Sequence, residues 1–409
     1  MIVLEHYQRP AESGPWPQEL DAVLPPAMLG TAAAEIAAWP GYAPTRLRSL
    51  DVLAGQLGIA QLLYKDESDR LGLGSFKALG GAYAVLCLAA ERVAAATGRQ
   101  PPLAEIRAGR HAGLLAGLTV ATATDGNHGR SVAWGARLAG CRCRVYIHAG
   151  VSAGRQAALE ELGAEVRRIA GDYDASVRLC AAEAEAENLF VVSDTSYDGY
   201  VDLPRQVMAG YSVMAAEVLD QVGGNGAAGS VALPTHVFVQ AGVGGLAAAV
   251  CAQMWQRLGA ARPRFVIVEP ARAACLMATA RAGRPTAVAL QEETVMAGLS
   301  CGEISPIAWT ILDRGAADYL TIGEDDVAPI MRLLASGAAG GGPITAGESA
   351  VSGLIGLLGV AADPDLRRAI GLTTGSRVLV FGSEGATDPQ IYAGMVGHPP
   401  PGEGAPGGT

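Results

Sequence analysis

From about residue 118 onward, the hydrophobic and polar positions fall into two alternating rhythms. Short runs rich in β-branched and aromatic residues read as strands at 118–124 (LTVATAT), 144–148 (RVYIH), 165–170, 189–193, 236–240 (HVFVQ) and 265–269 (FVIVE). Longer stretches with helical spacing lie between them, at 130–138, 155–162, 175–187, 204–219 and 246–258, and another lies upstream at 78–96. Strands separated by helices need crossover connections, and such crossovers build parallel sheets with both faces covered. The strand runs are almost continuously apolar, as that covering requires. The pattern predicts an α/β fold.

Glycine marks the breaks in this pattern. The stretch 221–233 (QVGGNGAAGSVAL) suits a flexible connection, and 336–353 (SGAAGGGPITAGESAVSG) is too rich in glycine for a helix interior. The tail 396–409 (VGHPPPGEGAPGGT) offers almost nothing to bury and is expected to be disordered. No repeat of solenoid length is visible.

Composition narrows the function classes. With 409 residues, half of them hydrophobic, the chain can form two domains without disulfides or metals. A formal net charge of −10 and the lack of a basic patch interleaved with aromatics argue against nucleic acid as a partner. The first residues, MIVLEHYQRPAESGPWP, show no basic-then-apolar leader, and no apolar run reaches the ~18 residues of a membrane span. A cytoplasmic protein with no membrane partner is expected. The seven cysteines are odd in number and dispersed, and Cys141 and Cys143 do not have zinc-knuckle spacing, so reduced thiols and no metal site are expected.

Four stretches carry chemistry. Lys77 stands in GSFKALGG, a run nearly free of other charges, where a partly desolvated amine could attack an aldehyde. Taken alone, an ordinary helix-start lysine with its ammonium in solvent is the better explanation. TDGNHG (124–129) follows a strand, and its glycines let the backbone approach an anion such as a carboxylate. Simple helix capping by Asp125 or Asn127 is the competing explanation. QAGVGGL (240–246) turns from strand into helix as a cradle for one phosphate and lacks the third glycine of a dinucleotide fingerprint. VLVFGSEGATD (378–388) is a strand run ending in a polar turn, where Ser383 could bond a heterocyclic nitrogen or merely shape a loop.

Together these stretches resemble, in kind and in order, the fold-type II pyridoxal-phosphate enzymes of the tryptophan synthase β superfamily. Further stretches resemble the diaminopropionate ammonia-lyases: DESDRLGLGSFKALGGAYA (66–84), TDGNHGRSVAWGA (124–136), SDTSYDGY (193–200), VEPARAACL (268–276), VMAGLSCGEISPIAW (295–309), GESAVSGL (347–354) and SEGATD (383–388). The resemblance spans about residues 40–390. It implies two open parallel-sheet domains with pyridoxal 5'-phosphate in the cleft between them. The larger, cofactor-binding domain would comprise 1–85 plus 225–409, and the smaller one 86–224.

The resemblance also implies roles. Lys77 would hold the cofactor covalently and Asn127 would contact the pyridine 3-oxygen. Gly242, Val243, Gly244, Gly245 and Leu246 would wrap the phosphate. Ser383 would face the ring nitrogen, and a hydroxyl there leaves the pyridine largely unprotonated, which favours elimination. Asp125, Gly126, His128 and Asp194 would contact the substrate. Asp125 and Asp194 would join Lys77 as catalytic groups, Asp125 standing where other branches place Ser or Ala. A carboxylate there suits a cationic β-amine and could take a proton from Cα on the face opposite Lys77. The implied activity is the release of ammonia from 2,3-diaminopropionate, leaving pyruvate and a second ammonia, by a homodimer acting on a small amino acid. Alternatives are a serine or threonine dehydratase, which should prefer a neutral residue at 125, and a non-catalytic amino-acid-binding relic. Cys275 and Cys301 lie in two of the branch-specific stretches and are expected to be close in space.

Overall fold

The computed structural model describes residues 2–124, 126–223 and 232–401. Among these residues, eleven strands follow one another: β1 (Val3–Gln8), β2 (Arg46–Ser49), β3 (Gln61–Asp66), β4 (Thr119–Ala123), β5 (Arg142–Ile147), β6 (Glu165–Arg168), β7 (Phe190–Val191), β8 (His236–Gln240), β9 (Arg264–Pro270), β10 (Asp318–Ile322) and β11 (Arg377–Gly382). The chain divides into two compact units. One comprises Met1–Val23, Pro44–Arg70 and Met214–Thr409, and the other Leu24–Ala43 and Leu71–Val213.

The first unit is built on a seven-stranded sheet in the order β1-β10-β9-β8-β11-β3-β2. Its interior pairs are all parallel, whereas β1 on β10 and β2 on β3 are antiparallel. The interior is parallel as expected, and the antiparallel pairing is confined to the two edge strands. The edges escaped the sequence pattern because they are covered on one side at most. In β2 (RLRS) no residue is buried, while every residue of β8 is. Charged edge strands also discourage pairing with another chain. The core of this unit joins sheet residues such as Phe238, Val266, Val268, Leu320 and Val380 to Leu354, Ile355 and Leu357 of the helix Ser352–Ala362.

The second unit carries the parallel sheet β6-β5-β4-β7 and a long helix, Lys77–Thr97, that is buried over most of its length. Helix Asn127–Ala139 and helix Asp202–Gly223 meet it through residues without bulk. A β-carbon on Gly135 would come within 2.6 Å of Ala82 Cα, and one on Gly210 within 2.5 Å of the Leu79 carbonyl oxygen. Only glycine permits so close an approach. The Ser131 hydroxyl pins the contact, accepting from the Ala82 amide at 2.9 Å and donating to the Ala78 carbonyl at 3.2 Å.

The cut expected at 85/86 falls inside the helix Lys77–Thr97, which lies wholly in the second unit. Lys77 is thereby in the second unit, along with residues 24–43, which carry no boundary signal of their own. That helix also corrects the estimate of apolar runs: it is long and apolar enough to cross a membrane, but most of its apolar window is buried within the structure. The expected glycine-rich connection falls largely on residues 224–231, outside the described residues, as do 402–409 of the expected disordered tail. Helix Pro389–Val396 ends where that tail was expected to begin.

Candidate active site

In the second unit, the approach to Lys77 is wound tightly by three left-handed residues, Leu71, Gly72 and Gly74. Lys77 opens the long helix, and its backbone amide donates to Ser75 Oγ at 3.3 Å. Its Nζ donates to Asp194 Oδ2 at 2.7 Å, and both side chains are about 20% exposed. Burial opposes the charge on Asp194, but the Lys77 ammonium hydrogen-bonded to it outweighs burial and holds the carboxyl well below the usual carboxylate range. An ionised, paired carboxylate therefore sits against the amine.

Asp194 follows β7 on a segment held by Tyr200. The Tyr200 hydroxyl accepts from the Ser193 amide at 2.9 Å and donates to the Val191 carbonyl at 3.0 Å. His128 lies in the first turn of helix Asn127–Ala139 with its Nε2 2.8 Å from the Val192 carbonyl oxygen. A carbonyl only accepts, so Nε2 carries the proton and the buried Nδ1 is an acceptor with no hydrogen-bond partner among the described residues. Burial lowers the His128 pKa and keeps the ring neutral, with Asp194 opposing that shift. Thr124 Oγ accepts from the Gly126 amide at 3.2 Å, and Asn127, half-buried, opens the helix. Asp125 lies outside the described residues. Lys77, His128 and Asp194 thus come together; Tyr200, the last residue of SDTSYDGY, holds the Asp194 segment although no role was read for it in the sequence, and the buried Tyr211, outside every motif, packs against Phe76.

In the first unit, Gly242, Val243 and Gly244 link the carboxyl end of β8 to helix Gly245–Leu258, whose cap, Gly244, has a φ of +98°. The first amides of a helix have no partner within it and face outward as an anion site. The loop is tightly held: the Ser305 amide donates to the Val243 carbonyl at 2.8 Å. A β-carbon on Gly242 would come within 2.9 Å of Cys301 Sγ. The Cys275 thiol donates to the Gly242 carbonyl at 3.6 Å, so the two thiols expected to be close both lie against Gly242. Helix Cys275–Ala282 is anchored by the buried Glu269, which accepts from the Leu276 and Met277 amides and whose pKa burial pushes up to about 8.

Ser383 directly follows the neighbouring strand, β11. The Gln240 amide donates at 2.8 Å both to the Phe381 carbonyl and to Ser383 Oγ. The carbonyl fixes which way the amide faces, so Ser383 accepts from Gln240 and keeps its own proton to donate. A phosphate cradle and a serine donor at adjacent strand ends fit a small phosphorylated heterocycle.

The scaffold is α/β, and the chain belongs to the pyridoxal-phosphate dependent enzyme family, whose model matches residues 38–382. It is 36% identical over 362 residues to the diaminopropionate ammonia-lyase of Escherichia coli (strain K12), covering 87% of this chain and 88% of that one. The crystal structure of holo diaminopropionate ammonia-lyase from Escherichia coli matches with a TM-score of 0.85 and 32% identity over 97% of both chains. A probable D-serine dehydratase of Aeromonas hydrophila is more distant, at 26% identity over 358 residues, 85% of this chain and 77% of that one.

Proposed function

We propose that the chain is a diaminopropionate ammonia-lyase, releasing ammonia from the β-carbon of 2,3-diaminopropionate to leave pyruvate and a second ammonia. The observation that carries the reading is the Lys77–Asp194 ion pair at 2.7 Å. In this reading Lys77 holds pyridoxal phosphate through its Nζ and ceases to be the counter-ion of Asp194. A partly buried carboxylate left without a cation is strongly disfavoured. A substrate with a second ammonium restores the balance, and the neutral hydroxyl of serine does not. The relatives named above, alike over nearly the whole chain, support the same substrate.

The remaining roles follow the chemistry of each side chain. Gly242, Val243, Gly244, Gly245 and Leu246 take the phosphate on the helix amides, Asn127 the 3-oxygen and Ser383, with its own proton to donate, the ring nitrogen. The bound cofactor supplies the electron sink that makes the Cα proton removable. Lys77 or Asp125 takes that proton according to the handedness of the substrate. Asp194, with Gly126 and His128, binds the substrate and orients its ammonium. A homodimer in the cytoplasm belongs to the same reading and rests on the resemblance alone.

The competing reading is a dehydratase, which the more distant relative would suggest. Pyruvate release, followed by coupling to lactate dehydrogenase, separates them. Both enantiomers of diaminopropionate should outpace D- and L-serine and threonine by at least about tenfold in kcat/KM, the discrimination expected from a buried charge left unpaired. Equal or faster turnover of serine would return the chain to the dehydratases.

A further inference from the structure

Asp194 stands just where a strand runs out. β7 pairs with β4 only at Phe190 and Val191, and its last ladder bond runs from the Val192 amide to the Ala121 carbonyl at 2.8 Å. Backbone polar groups beyond that point still need partners. Side chains supply them. The Tyr200 hydroxyl donates to the Val191 carbonyl at 3.0 Å and accepts from the Ser193 amide at 2.9 Å, and His128 Nε2 donates to the Val192 carbonyl at 2.8 Å. One hydroxyl thus grips the backbone on both sides of Val192, and its second contact is to the residue directly before Asp194.

Tyr200 is in turn held by the loop it closes. The Tyr197 amide donates to the Tyr200 carbonyl at 3.2 Å, and the Tyr200 amide to the Tyr197 carbonyl at 2.8 Å, around Gly199 with a φ of +81°. The two rings stack, with centroids 4.8 Å apart and planes 16° from parallel. Residues 193–200 therefore form a loop whose exit is bonded to its entry. Burial raises the Tyr200 pKa, so its O–H is intact at working pH and both contacts persist.

Lys77 Nζ reaches the Asp194 carboxylate from another element, at 2.7 Å. The Thr195 hydroxyl, at 3.5 Å, and the amide of Asp194 itself also bond the carboxylate, but both belong to the loop and move with it. Where the carboxylate stands is therefore decided by the backbone beneath it. We propose that Tyr200 is a positioning residue for Asp194: its hydroxyl, bonded on both sides of Val192, fixes where the loop presents the carboxylate to Lys77 and, in turnover, to the substrate. The bearing on the substrate rests on the role proposed for Asp194, whereas the bearing on Lys77 does not. Tyr200→Phe keeps the stacked ring and removes the hydroxyl. The Val191 carbonyl and the Ser193 amide then lack that partner, and the loop should carry the carboxylate away from Lys77.

The test is competitive labelling of the full chain, freed of cofactor, with acetic anhydride between pH 6 and 10, reading Lys77 acetylation by mass spectrometry. A nearby carboxylate favours the charged form of an amine, so a displaced one lowers the pH at which the amine becomes reactive. In Tyr200→Phe the midpoint should fall by about one pH unit, making Lys77 about tenfold more reactive below it. The midpoint of Asp194→Asn should fall as well, and adding Tyr200→Phe to it should change nothing further, because the clamp acts through that carboxylate. An unmoved midpoint in Tyr200→Phe, whatever its unfolding temperature, would leave Tyr200 as a structural residue alone and overturn the proposal. An equal fall on top of Asp194→Asn would overturn it too. Should Tyr200→Phe not fold, 4-aminophenylalanine at position 200 carries the test. Its amine still donates to Val191 but accepts poorly from Ser193, so a smaller fall is expected, and no fall overturns the proposal. The labelling needs no substrate, so it can fail while the pyruvate assay succeeds, and the reverse.

Discussion

At the residue scale, the two aspartates proposed to act on the substrate make separable predictions. Asparagine caps a helix as well as aspartate does, so Asp125→Asn should be nearly silent if residue 125 only caps. As a base for one face of Cα, its loss should slow one diaminopropionate enantiomer by about 10²–10⁴-fold and spare the other, which Lys77 serves. Asp194→Asn should instead raise KM for both enantiomers by at least about tenfold, because it removes the counter-ion for the β-ammonium. Steady-state kinetics on each enantiomer check both, and equal small losses in Asp125→Asn would return that residue to capping. Lys77, Asp194 and Ser383 were legible because each stands in a compact motif. Tyr200 and Gln240 stand in motifs but, like Tyr211, showed no role, because each acts on a residue from another part of the chain: Tyr211 packs against Gly80 more than a hundred positions away, and Gln240 serves Ser383.

At the element scale, helix Lys77–Thr97 shows how close packing overrides local propensity. Gly80→Ala should gain about 1 kcal/mol in helix propensity. The new methyl, however, would meet Tyr211 Cε1 at 2.4 Å and the Val207 carbonyl oxygen at 2.7 Å, and a backbone carbonyl cannot turn aside. Overpacking of this kind costs about 1–3 kcal/mol. The variant is therefore expected to unfold at lower denaturant concentration despite its better helix former, and a midpoint at or above that of the wild type would show that the helices can part. The interior strands could be read from the sequence because coverage on both faces leaves a continuous apolar signal, as in HVFVQ and FVIVE. The edges β1 and β2 lacked that signal, and helix Asn127–Ala139 begins three residues before its apolar periodicity because Asn127 and His128 fill its first turn.

At the scale of the whole molecule, the first unit is assembled from three separate segments of chain, and a buried charge network ties two of them together. Thr45, Lys65, Glu67 and Arg70 come from one segment and Glu217 from another, and none is more than 8% exposed. Glu217 accepts from Lys65 Nζ at 2.6 Å, from Arg70 at 2.7 and 2.9 Å, and from the Thr45 amide at 3.1 Å, while Glu67 takes the other side of Arg70 at 2.7 Å. The stretch KDESDR (65–70) looks like a solvated charge run in the sequence. Only the fold shows that Lys65, Asp66, Glu67 and Arg70 are interior while Asp69 stays exposed, because the neutralising Glu217 lies far along the chain. Two cations and two carboxylates balance in this network, so Glu217→Gln leaves a buried positive charge uncompensated. Loss of one partner from a buried pair costs about 3–5 kcal/mol, and the urea midpoint at pH 7 should fall accordingly. The pH dependence identifies the cause. Burial alone would raise the Glu217 pKa, but Arg70 and Lys65 outweigh it and hold the folded-state value below that of the unfolded chain. A carboxyl with a depressed pKa contributes stability above its unfolded value, about 4.3, and loses it as pH falls through the folded one. The gap between wild type and Glu217→Gln should therefore be full at pH 7 and close as pH drops below about 4, whereas a gap constant with pH would assign the loss to shape and not to charge.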